Sequence, residues 1–176
     1  MENLTLHVPS YNDLWYREKL LNDPETMSYN RGYAPWDGYH ADTGCIDFPK
    51  SEWREWYEYF IGHEPERWYA YVTLGNGTWI GEVNVHGNGI AGHYDMGIVL
   101  EAKYRGKGYA KEALSLLLAH AFDDLSAEAV HNNFEDTRIA AVRTHLACGF
   151  EVVERENGIV MLTVTRERYI NRQETV

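Results

Sequence analysis

The sequence predicts a single α/β (α+β) domain over residues 1–176, built on a mixed, mostly antiparallel β-sheet. The length is that of one ordinary domain with a substantial core. Segments with strand-like alternation are interspersed with segments of helical spacing, and glycine–asparagine turns join several consecutive strands. One long helical segment lies between two strands and predicts a right-handed crossover that makes those strands parallel.

The composition narrows the class of protein. Hydrophobic residues make up 44% of the chain and charged residues 24%, which excludes a disordered or collagen-like chain. The formal net charge is −11. A strongly acidic surface repels nucleic-acid phosphates and anionic lipids, so we expect neither a nucleic-acid nor a membrane partner. A cationic or amine-bearing ligand is favoured instead.

Cysteine usage and the N-terminus indicate the compartment. Cys45 and Cys148 are too few for a disulfide framework and lack the spacing of metal ligands. Free thiols suit a reducing environment. The first residues lack the features of a signal peptide, and the most apolar stretch, 114–122, is much shorter than a membrane span. We therefore expect a cytoplasmic protein without a metal site.

The first half of the chain predicts one strand and two helices before a run of three strands. Ser10 and Asp13 form a capping-box pattern that opens the first helix, and Ser51 is expected to cap the second. Residues 29–47 carry glycine or proline at several positions and predict a long loop. The predicted elements are strand 4–8, a helix ending near residue 21, a helix through residue 60, and strands 68–74, 79–86 and 93–101.

The second half alternates helices and strands. Residues 109–122 place alanine and leucine on one face at helical spacing, the clearest helical period in the chain. Gly149 is expected to stop the next helix, and residues 156–158 predict the turn of a final hairpin. The predicted elements are helix 109–122, strand 127–134, helix 137–147, and strands 150–155 and 159–165.

Aromatic residues are concentrated in one region. Twelve of the 24 lie between Tyr33 and Tyr71. One interpretation is that they pack the two early helices onto the sheet, which is the commoner fate of such residues. The other is that the loop residues Tyr33, Trp36 and Tyr39 form a stacking wall for a substrate.

The most informative segment runs from Asp95 to Ala110 and predicts a strand, a basic loop with two glycines and the start of a long helix. The first turn of a helix has unpaired N–H groups at the positive end of its dipole. Gly106 and Gly108 let the main chain approach a ligand closely. The segment therefore predicts a phosphate-binding loop, although its glycine spacing matches neither a Walker A loop nor a dinucleotide-binding fingerprint.

The residues of this loop, Arg105-Gly106-Lys107-Gly108-Tyr109-Ala110, match the signature Arg/Gln-x-x-Gly-x-Gly/Ala, and the chain resembles the GNAT N-acetyltransferase superfamily. The strand over 95–100 looks like the family's fourth strand. Residues 111–114, Lys-Glu-Ala-Leu, look like the helix start of the branch that includes ribosomal-protein acetyltransferases. Residues 146–150, Leu-Ala-Cys-Gly-Phe, are similar to the family's Leu-Gly-Phe helix end. The resemblance extends from about residue 68 to the C-terminus.

The resemblance implies acetyl-CoA as the acyl donor, with its diphosphate held by main-chain N–H groups of the loop. Lys103, Lys107 or Arg105 would lie near the ribose phosphate, or would equally be solvated loop charges. In the family, the fourth and fifth strands splay apart and the pantetheine arm lies between them. The implied cofactor-binding residues are Ile98, Val99, Leu100, Arg105, Gly106, Lys107, Gly108, Tyr109 and Ala110.

Acetyl transfer to an amine requires a neutral attacking nitrogen, a donor for the developing oxyanion and a proton for the departing thiolate. Asp95 is the candidate base, because the resemblance often places an acidic residue at this position of the fourth strand. Glu82, on the neighbouring strand, is the second candidate. Each carboxylate could instead lie on the solvated face of its strand, and for Glu82 we favour that alternative.

His145 is the candidate acid, at the position where the family commonly carries a tyrosine. It borders the apolar stripe of its helix, and an imidazole of pKa ~6.5 can protonate a thiolate of pKa ~8.5. The alternative is a histidine exposed on the helix flank. Arg138 stands where many relatives carry asparagine, and Asn132 and Asn133 either supply the missing polar contacts or form a turn.

The sequence thus predicts an N-acetyltransferase that moves the acetyl group of acetyl-CoA to a primary amine by direct attack in a ternary complex. A small cationic amine or a peptide N-terminus is the expected acceptor. The alternative is a CoA-binding sensor or scaffold without transfer activity, which the departures at His145 and Arg138 favour. The sequence leaves open whether the chain forms a homodimer.

Overall fold

The computed structural model describes residues 3–32, 35 and 37–174. A seven-stranded sheet has the order β1-β2-β3-β4-β5-β7-β6. Its strands are β1 (Leu4–His7), β2 (Arg67–Leu74), β3 (Trp79–Gly87), β4 (His93–Leu100), β5 (Ala129–Glu135), β6 (Glu151–Glu156) and β7 (Ile159–Thr165). The α-helices of the described residues are α1 (Leu14–Leu21), α2 (Trp53–Phe60), α3 (Tyr109–Ala119), α4 (Ile139–Ala147) and α5 (Arg166–Gln173).

The sheet is antiparallel except between β4 and β5. Strands β1 to β4 pair in chain order, and β5, β7 and β6 form a second antiparallel group. Strands β4 and β5 run parallel and are joined through α3, since parallel neighbours need a crossover connection. The predicted fold class is confirmed.

Strands β4 and β5 separate soon after they begin. Only His93, Tyr94 and Asp95 of β4 have partners in β5. Strand β4 nevertheless continues to Leu100, and β5 continues to Glu135. The later parts of the two strands therefore border a gap in the sheet, which is the expected splay.

Helices cover both faces of the sheet. The back face carries α3, α4 and α5, with Leu114 and Leu117 of α3 fully buried against the strands. The front face carries α1 and α2, and its core includes Tyr16, Tyr69 and Tyr71. No helix in the part of the chain that the structure describes has both the length and the apolar character to cross a membrane.

Much of the predicted aromatic cluster forms the front core. Trp53 and Trp56 of α2 pack against Phe48. Trp56 also meets Tyr69 of β2 edge to face, with ring centroids 4.8 Å apart. The packing interpretation is confirmed for these residues.

The predicted helix starts are correct in one case and wrong in the other. The Ser10 capping box is present, and the backbone N–H of Ser10 donates to Asp13 Oδ2 at 2.8 Å. It opens a 3₁₀ turn that leads into α1. Ser51 does not cap α2, which begins at Trp53 with Glu52 at its N-cap.

Helix α5 follows the final hairpin and was not predicted. Its sequence, Arg-Glu-Arg-Tyr-Ile-Asn-Arg-Gln, is mostly polar and gives no apolar period. Tertiary contacts hold it in place: Tyr169 stacks on Phe122 with centroids 4.7 Å apart and donates to Asp123 at 2.9 Å. The helix forms because these tertiary contacts on the back side of the sheet stabilise it.

Candidate active site

Residues 105–110 form a tight loop that leads into α3. Gly106 (φ +73°) and Gly108 (φ +87°) both have left-handed backbone conformations, which favour glycine. In the described part of the chain, no group accepts a hydrogen bond from the backbone N–H groups of residues 106–110. The carboxylate of Glu112, in the first turn of α3, accepts instead from the N–H of Leu4 at 2.8 Å. The loop therefore presents unpaired amides at the positive end of a helix, as a diphosphate requires.

The side chain of Arg105 anchors this loop. Its Nε donates to the carbonyl oxygen of Leu100 at 3.1 Å, and its Nη2 donates to that of Thr26. These bonds tie the loop to the end of β4 and to the segment after α1. Arg105 therefore keeps the loop in shape, and its guanidinium is occupied by the protein.

The two loop lysines differ in their partners. Lys103 Nζ lies 2.9 Å from Glu101, which also accepts from Lys19 and Tyr16. Burial opposes ionisation of Glu101, but these hydrogen bonds outweigh it and lower the pKa of the carboxyl. Lys107 has no ion pair among the described residues and is exposed. Of the two, Lys107 has the freer ammonium for a ribose phosphate.

Ile98, Val99 and Leu100 border the gap on its β4 side. Strand β3 pairs with one edge of these residues, and their other edge has no partner in β5. Ile98 and Leu100 pack into the back core and Val99 into the front core, which fixes the backbone between them. An unpaired strand edge can pair with an extended ligand.

Asp95 and His145 lie on opposite faces of the sheet, next to the start of the gap. Asp95 is the last β4 residue paired with β5, and its side chain is on the front face. Asn88 donates to its Oδ1 at 3.5 Å, which is long for a hydrogen bond. His145 is on α4, against the back face. Side chains on opposite faces of a sheet can reach the same ligand only where the strands are apart. Strands β4 and β5 separate directly after Asp95, so Asp95 and His145 meet this condition.

His145 is 3% exposed and has partners for both ring nitrogens. Its Nδ1 lies 2.8 Å from the carbonyl oxygen of Ala141, so this nitrogen carries the proton and donates. Its Nε2 accepts from the carboxamide of Asn132 at 2.9 Å. Burial lowers the pKa of the imidazole, so the ring is neutral near pH 7. The flank-exposed alternative is wrong, and Asn132 supplies a polar contact within β5 rather than a turn.

Glu82 is buried in an ion pair and not solvated. Its carboxylate accepts from the guanidinium of Arg17 and from the hydroxyl of Tyr69. Glu82 is opposite Val99 in the β3–β4 register, so it lies about 13 Å along the strand from Asp95. The solvated-face alternative is therefore wrong for Glu82, and the two candidate bases do not meet at one point.

Arg138, which replaces the expected asparagine, joins α4 to the segment after α1. Its Nη2 donates to the carbonyl oxygen of Tyr29 at 2.9 Å and pairs with Glu135. The guanidinium lies 4.8 Å from the ring of Tyr29. Burial raises the pKa of the Tyr29 phenol to about 12, so this hydroxyl stays protonated at neutral pH.

Two cavities open on the front side. One, of about 270 Å³, lies beside the gap and is lined by Tyr39 and by Asn133 of β5. The other, of about 630 Å³, lies between α1 and the start of α2. Tyr33 and Trp36, the other members of the proposed aromatic wall, lie outside the described residues. The larger cavity is bordered by four carboxylates, those of Glu18, Asp37, Asp47 and Glu52.

A group of histidines that was not predicted lies beside Asp95. The sequence pattern predicted no site role for His86, His93 or His131. All three lie on the front face near Asp95. His93 and Asp95 are two residues apart on β4 and so share a face, which the sequence could have indicated. The parallel register with β5 then places His131 beside Asp95. No group of three or more His, Cys, Asp or Glu residues within the described ranges is arranged to hold a metal ion.

Comparison of the chain with known proteins agrees with the fold and the loop before α3. A family model described as an acetyltransferase (GNAT) domain matches residues 3–151. The chain therefore belongs to the GNAT acetyltransferases, and the predicted superfamily and acyltransferase class are confirmed. Acetyl-CoA is the acyl donor, as predicted.

Solved structures share the fold across nearly the whole chain. A spermidine N-acetyltransferase from Vibrio cholerae, in complex with CoA and spermine, is 22% identical with a TM-score of 0.77, over 96% of this chain and 99% of that one. A GNAT-family acetyltransferase from Bacillus anthracis is 17% identical with a TM-score of 0.71, over 94% and 96% of the two chains. The comparison with curated proteins returns no match. The branch that includes ribosomal-protein acetyltransferases stays a prediction.

Proposed function

We propose that this acetyltransferase acts on a primary amine of a small cationic molecule, which attacks the thioester directly in a ternary complex. One observation carries the proposal. The sheet opens directly after Asp95, with the unpaired amides of residues 106–110 at one end of the opening and a front-side cavity beside it. This arrangement provides room for a donor arm within the sheet and access for an acceptor from the front.

The donor is proposed to bind through main-chain groups. The amides of residues 106–110 hold the diphosphate, Lys107 faces the ribose phosphate, and the free edge of Ile98–Leu100 pairs with the pantetheine arm. The unpaired amides support this placement, because the free N–H groups at the start of a helix can all donate to one bound anion. Acetyl-CoA supplies the activated acetyl group, and no covalent acyl-enzyme is needed.

Asp95 is proposed as the general base. It faces the front, where the acceptor enters, and its carboxylate has no ion-pair partner in the described part of the chain. It can therefore take a proton from the incoming ammonium, directly or through water. Glu82 is a weaker candidate, because its carboxylate is already neutralised by Arg17.

His145 is proposed as the acid for the departing thiolate. It approaches the opening from the back face, opposite to Asp95. Its Nε2 accepts from Asn132 in the resting structure, and its one proton is on Nδ1. To act as the acid, the ring must therefore release Asn132, take a proton from solvent onto Nε2, and pass that proton to the thiolate, which returns the ring to its neutral form. The bond between His145 and Asn132 also supports the alternative, a CoA-binding protein without transfer activity. The experiment with separate amine pools, described below, distinguishes the two functions.

A small polycation is the proposed acceptor. The net charge of −11 and the four carboxylates of the larger front cavity favour a cation. The spermine bound by the Vibrio cholerae relative points the same way. A peptide N-terminus is the second candidate, because the front side is open.

The acceptor class is tested by mixing the protein with acetyl-CoA and separate pools of polyamines, aminoglycosides, monoamines and peptides. Release of free CoA thiol and the mass of the acetylated product are followed. We expect turnover in the polyamine pool. Turnover confined to peptides would replace the proposed acceptor class, and CoA binding without turnover in any pool would favour the sensor.

Replacing Asp95 tests the base. We expect Asp95→Asn to reduce kcat by roughly 10²- to 10⁴-fold, the usual contribution of a general base, with little change in the Kd for acetyl-CoA. Steady-state kinetics and calorimetry measure the two quantities. Asp42→Asn, at an exposed loop position, is the matched control. Near-native turnover of Asp95→Asn would remove Asp95 from this role.

We also propose that residues 1–176 work as one domain in the cytoplasm, without nucleic-acid or membrane partners. One sheet drawing strands from residue 4 to residue 165 supports the single unit. Two free buried cysteines support a reducing compartment. The sequence left a homodimer open, and light scattering of the purified protein would test for one.

A further inference from the structure

A row of polar side chains crosses the front face where β4 and β5 part. His86 of β3, Asp95 of β4, His131 of β5 and Thr163 of β7 occupy successive cross-strand positions. Cross-strand partners share a face, and neighbouring strands are about 4.8 Å apart. The proposed base therefore lies between two imidazoles that the proposed function does not use.

His131 and His93 form a bonded pair within this row. Nδ1 of His93 lies 3.0 Å from Nε2 of His131, and the two rings stack with centroids 5.1 Å apart. Nδ1 of His131 lies 2.7 Å from Oγ1 of Thr163. Both nitrogens of His131 are thus occupied. Nε2 of His93 is the ring nitrogen of the pair that has no hydrogen-bond partner among the described residues, and His93 is half-buried.

The pair can take up one additional proton. The 3.0 Å contact holds one hydrogen between the two rings, so both rings cannot become imidazolium while it lasts. A proton that arrives at Nε2 of His93 leaves a cation whose Nδ1–H donates to His131. In that arrangement His131 donates from Nδ1 to Thr163, which fixes the orientation of both rings.

The surroundings of His131 favour its neutral form, so a proton that reaches the pair is readily passed on. Burial lowers the pKa of His131, the neighbouring His93 lowers it further, and Asp95 raises it. Asp95 has no ion-pair partner in the described ranges, whereas the two nearby glutamates face arginines. The titratable or charged groups around the pair are His86 on β3, Asp95 on β4, Glu128 before β5 with Arg166, and Glu151 on β6 with Arg168.

We propose that His93, held by His131, relays the proton from Asp95 to solvent after each acetyl transfer. The inference rests on the proposed function, in which Asp95 receives the amine proton. In the relay, the Oδ–H bond of Asp95 breaks as a bridging water takes that proton and gives one of its own to Nε2 of His93. The new N–H bond then breaks to a buffer base, which returns His93 to neutral and leaves Asp95 ionised. His93 is the relay residue and His131 is a positioning residue.

Chemical rescue tests the relay. In dilute, bulky buffer we expect His93→Ala to lower kcat at least about tenfold, with an unchanged KM for acetyl-CoA. Added imidazole should restore kcat in a concentration-dependent way, because it can occupy the vacated space and carry the proton. His63→Ala, which removes an exposed histidine of the α2–β2 loop, should show neither effect. Native kcat in dilute buffer, or a loss that imidazole does not restore, would overturn the proposal.

A second measurement uses the wild-type pair. Imidazole ¹⁵N shifts followed by NMR should show that His93 and His131 share one added proton, and Asp95→Asn should lower the pKa of His131, which Asp95 raises. If the two rings took up protons independently of each other, or if Asp95→Asn left the pKa of His131 unchanged, the relay would be overturned. If wild-type protein released no CoA in response to amines, the proposed function would be overturned. If wild-type protein turned over and the His93→Ala substitution left kcat unchanged, only the relay would be overturned.

Discussion

Single side chains in this protein take different roles according to their partners. Asp95 and Glu82 are both carboxylates on neighbouring strands, but Glu82 is bonded to Arg17 and Tyr69, whereas Asp95 has one long contact. An unpaired carboxylate can exchange protons with an amine, and one held by a buried guanidinium is stabilised as an anion. The distinction separates a candidate catalyst from a structural residue.

Replacing Glu82 tests its structural role. We expect Glu82→Gln to reduce the free energy of unfolding by about 3 kcal/mol, because Arg17 would remain buried without its counter-charge. Chemical denaturation measures this loss, and kcat per folded molecule should change little. Glu58→Gln, in an exposed ion pair with Arg54, should leave stability almost unchanged. A large loss of kcat with native stability would make Glu82 a catalyst.

His145 makes stability depend on pH in a defined direction. Its pKa in the folded protein is lowered by burial, so the unfolded chain, with a pKa of about 6.5, binds a proton that the folded chain resists. Stability from this group is therefore complete above pH 6.5 and falls as the pH drops below that value. Between pH 7.5 and 5, wild-type protein should lose more unfolding free energy than His145→Gln. Parallel losses would show that the ring is protonated freely in the fold.

At the scale of elements, the loop before α3 combines two structural features. Its glycines accept left-handed angles, and its amides are left without partners. Both are unfavourable for folding alone, because they restrict sequence and leave N–H groups unpaired. A bound anion that accepts hydrogen bonds from these amides, as proposed for the diphosphate, would satisfy them.

A matched pair of glycine substitutions tests this interpretation. Gly106 (φ +73°) and Gly158 (φ +78°) have similar backbones, and a Cβ at either would meet no atom within 4 Å. Each change to alanine should therefore destabilise the fold by a similar amount, about 1 kcal/mol. Only Gly106→Ala should weaken CoA binding, by roughly tenfold, in calorimetry. Equal CoA affinity in the two variants would contradict a diphosphate site at this loop.

At the scale of the whole molecule, charge and sheet opening act together. The net charge of −11 attracts cations from a distance, and in the proposed function the gap beside Asp95 gives the acceptor access to the thioester. Asp95 on the front face of β4 and His145 on α4 against the back face border this gap from opposite sides, as the proposed base and acid require.

Salt should weaken the binding of a polycation more than that of a monoamine. For a polyamine acceptor we expect KM to rise several-fold between about 50 mM and 500 mM salt, because screening reduces long-range attraction. A monoamine of similar size should show a smaller rise, and the KM for acetyl-CoA serves as the internal reference. An equal salt response for the two amines would argue against recognition by net charge.

Much of the fold could be predicted because local patterns and tertiary contacts agree. The period of α3 and the hairpin turns correctly located their elements. Helix α5 could not be predicted, since its stability comes from contacts such as Tyr169 on Phe122 and not from its own pattern. Ser51 does not cap α2 because it lies inside the turn that precedes the helix, where the N–H of Glu52 donates to the carbonyl oxygen of Pro49, and the helix begins one residue later than predicted.

The sequence by itself determined the class of fold, the position of the glycine loop proposed to bind phosphate, and the family, because glycine spacing and helical periodicity are local properties of the chain. Only the tertiary structure decided which side chains share a space. It placed Glu82 against Arg17, turned His145 toward Asn132 and brought His131 and His93 beside Asp95. Strand register and helix packing set such contacts, and they depend on residues that are distant in the chain.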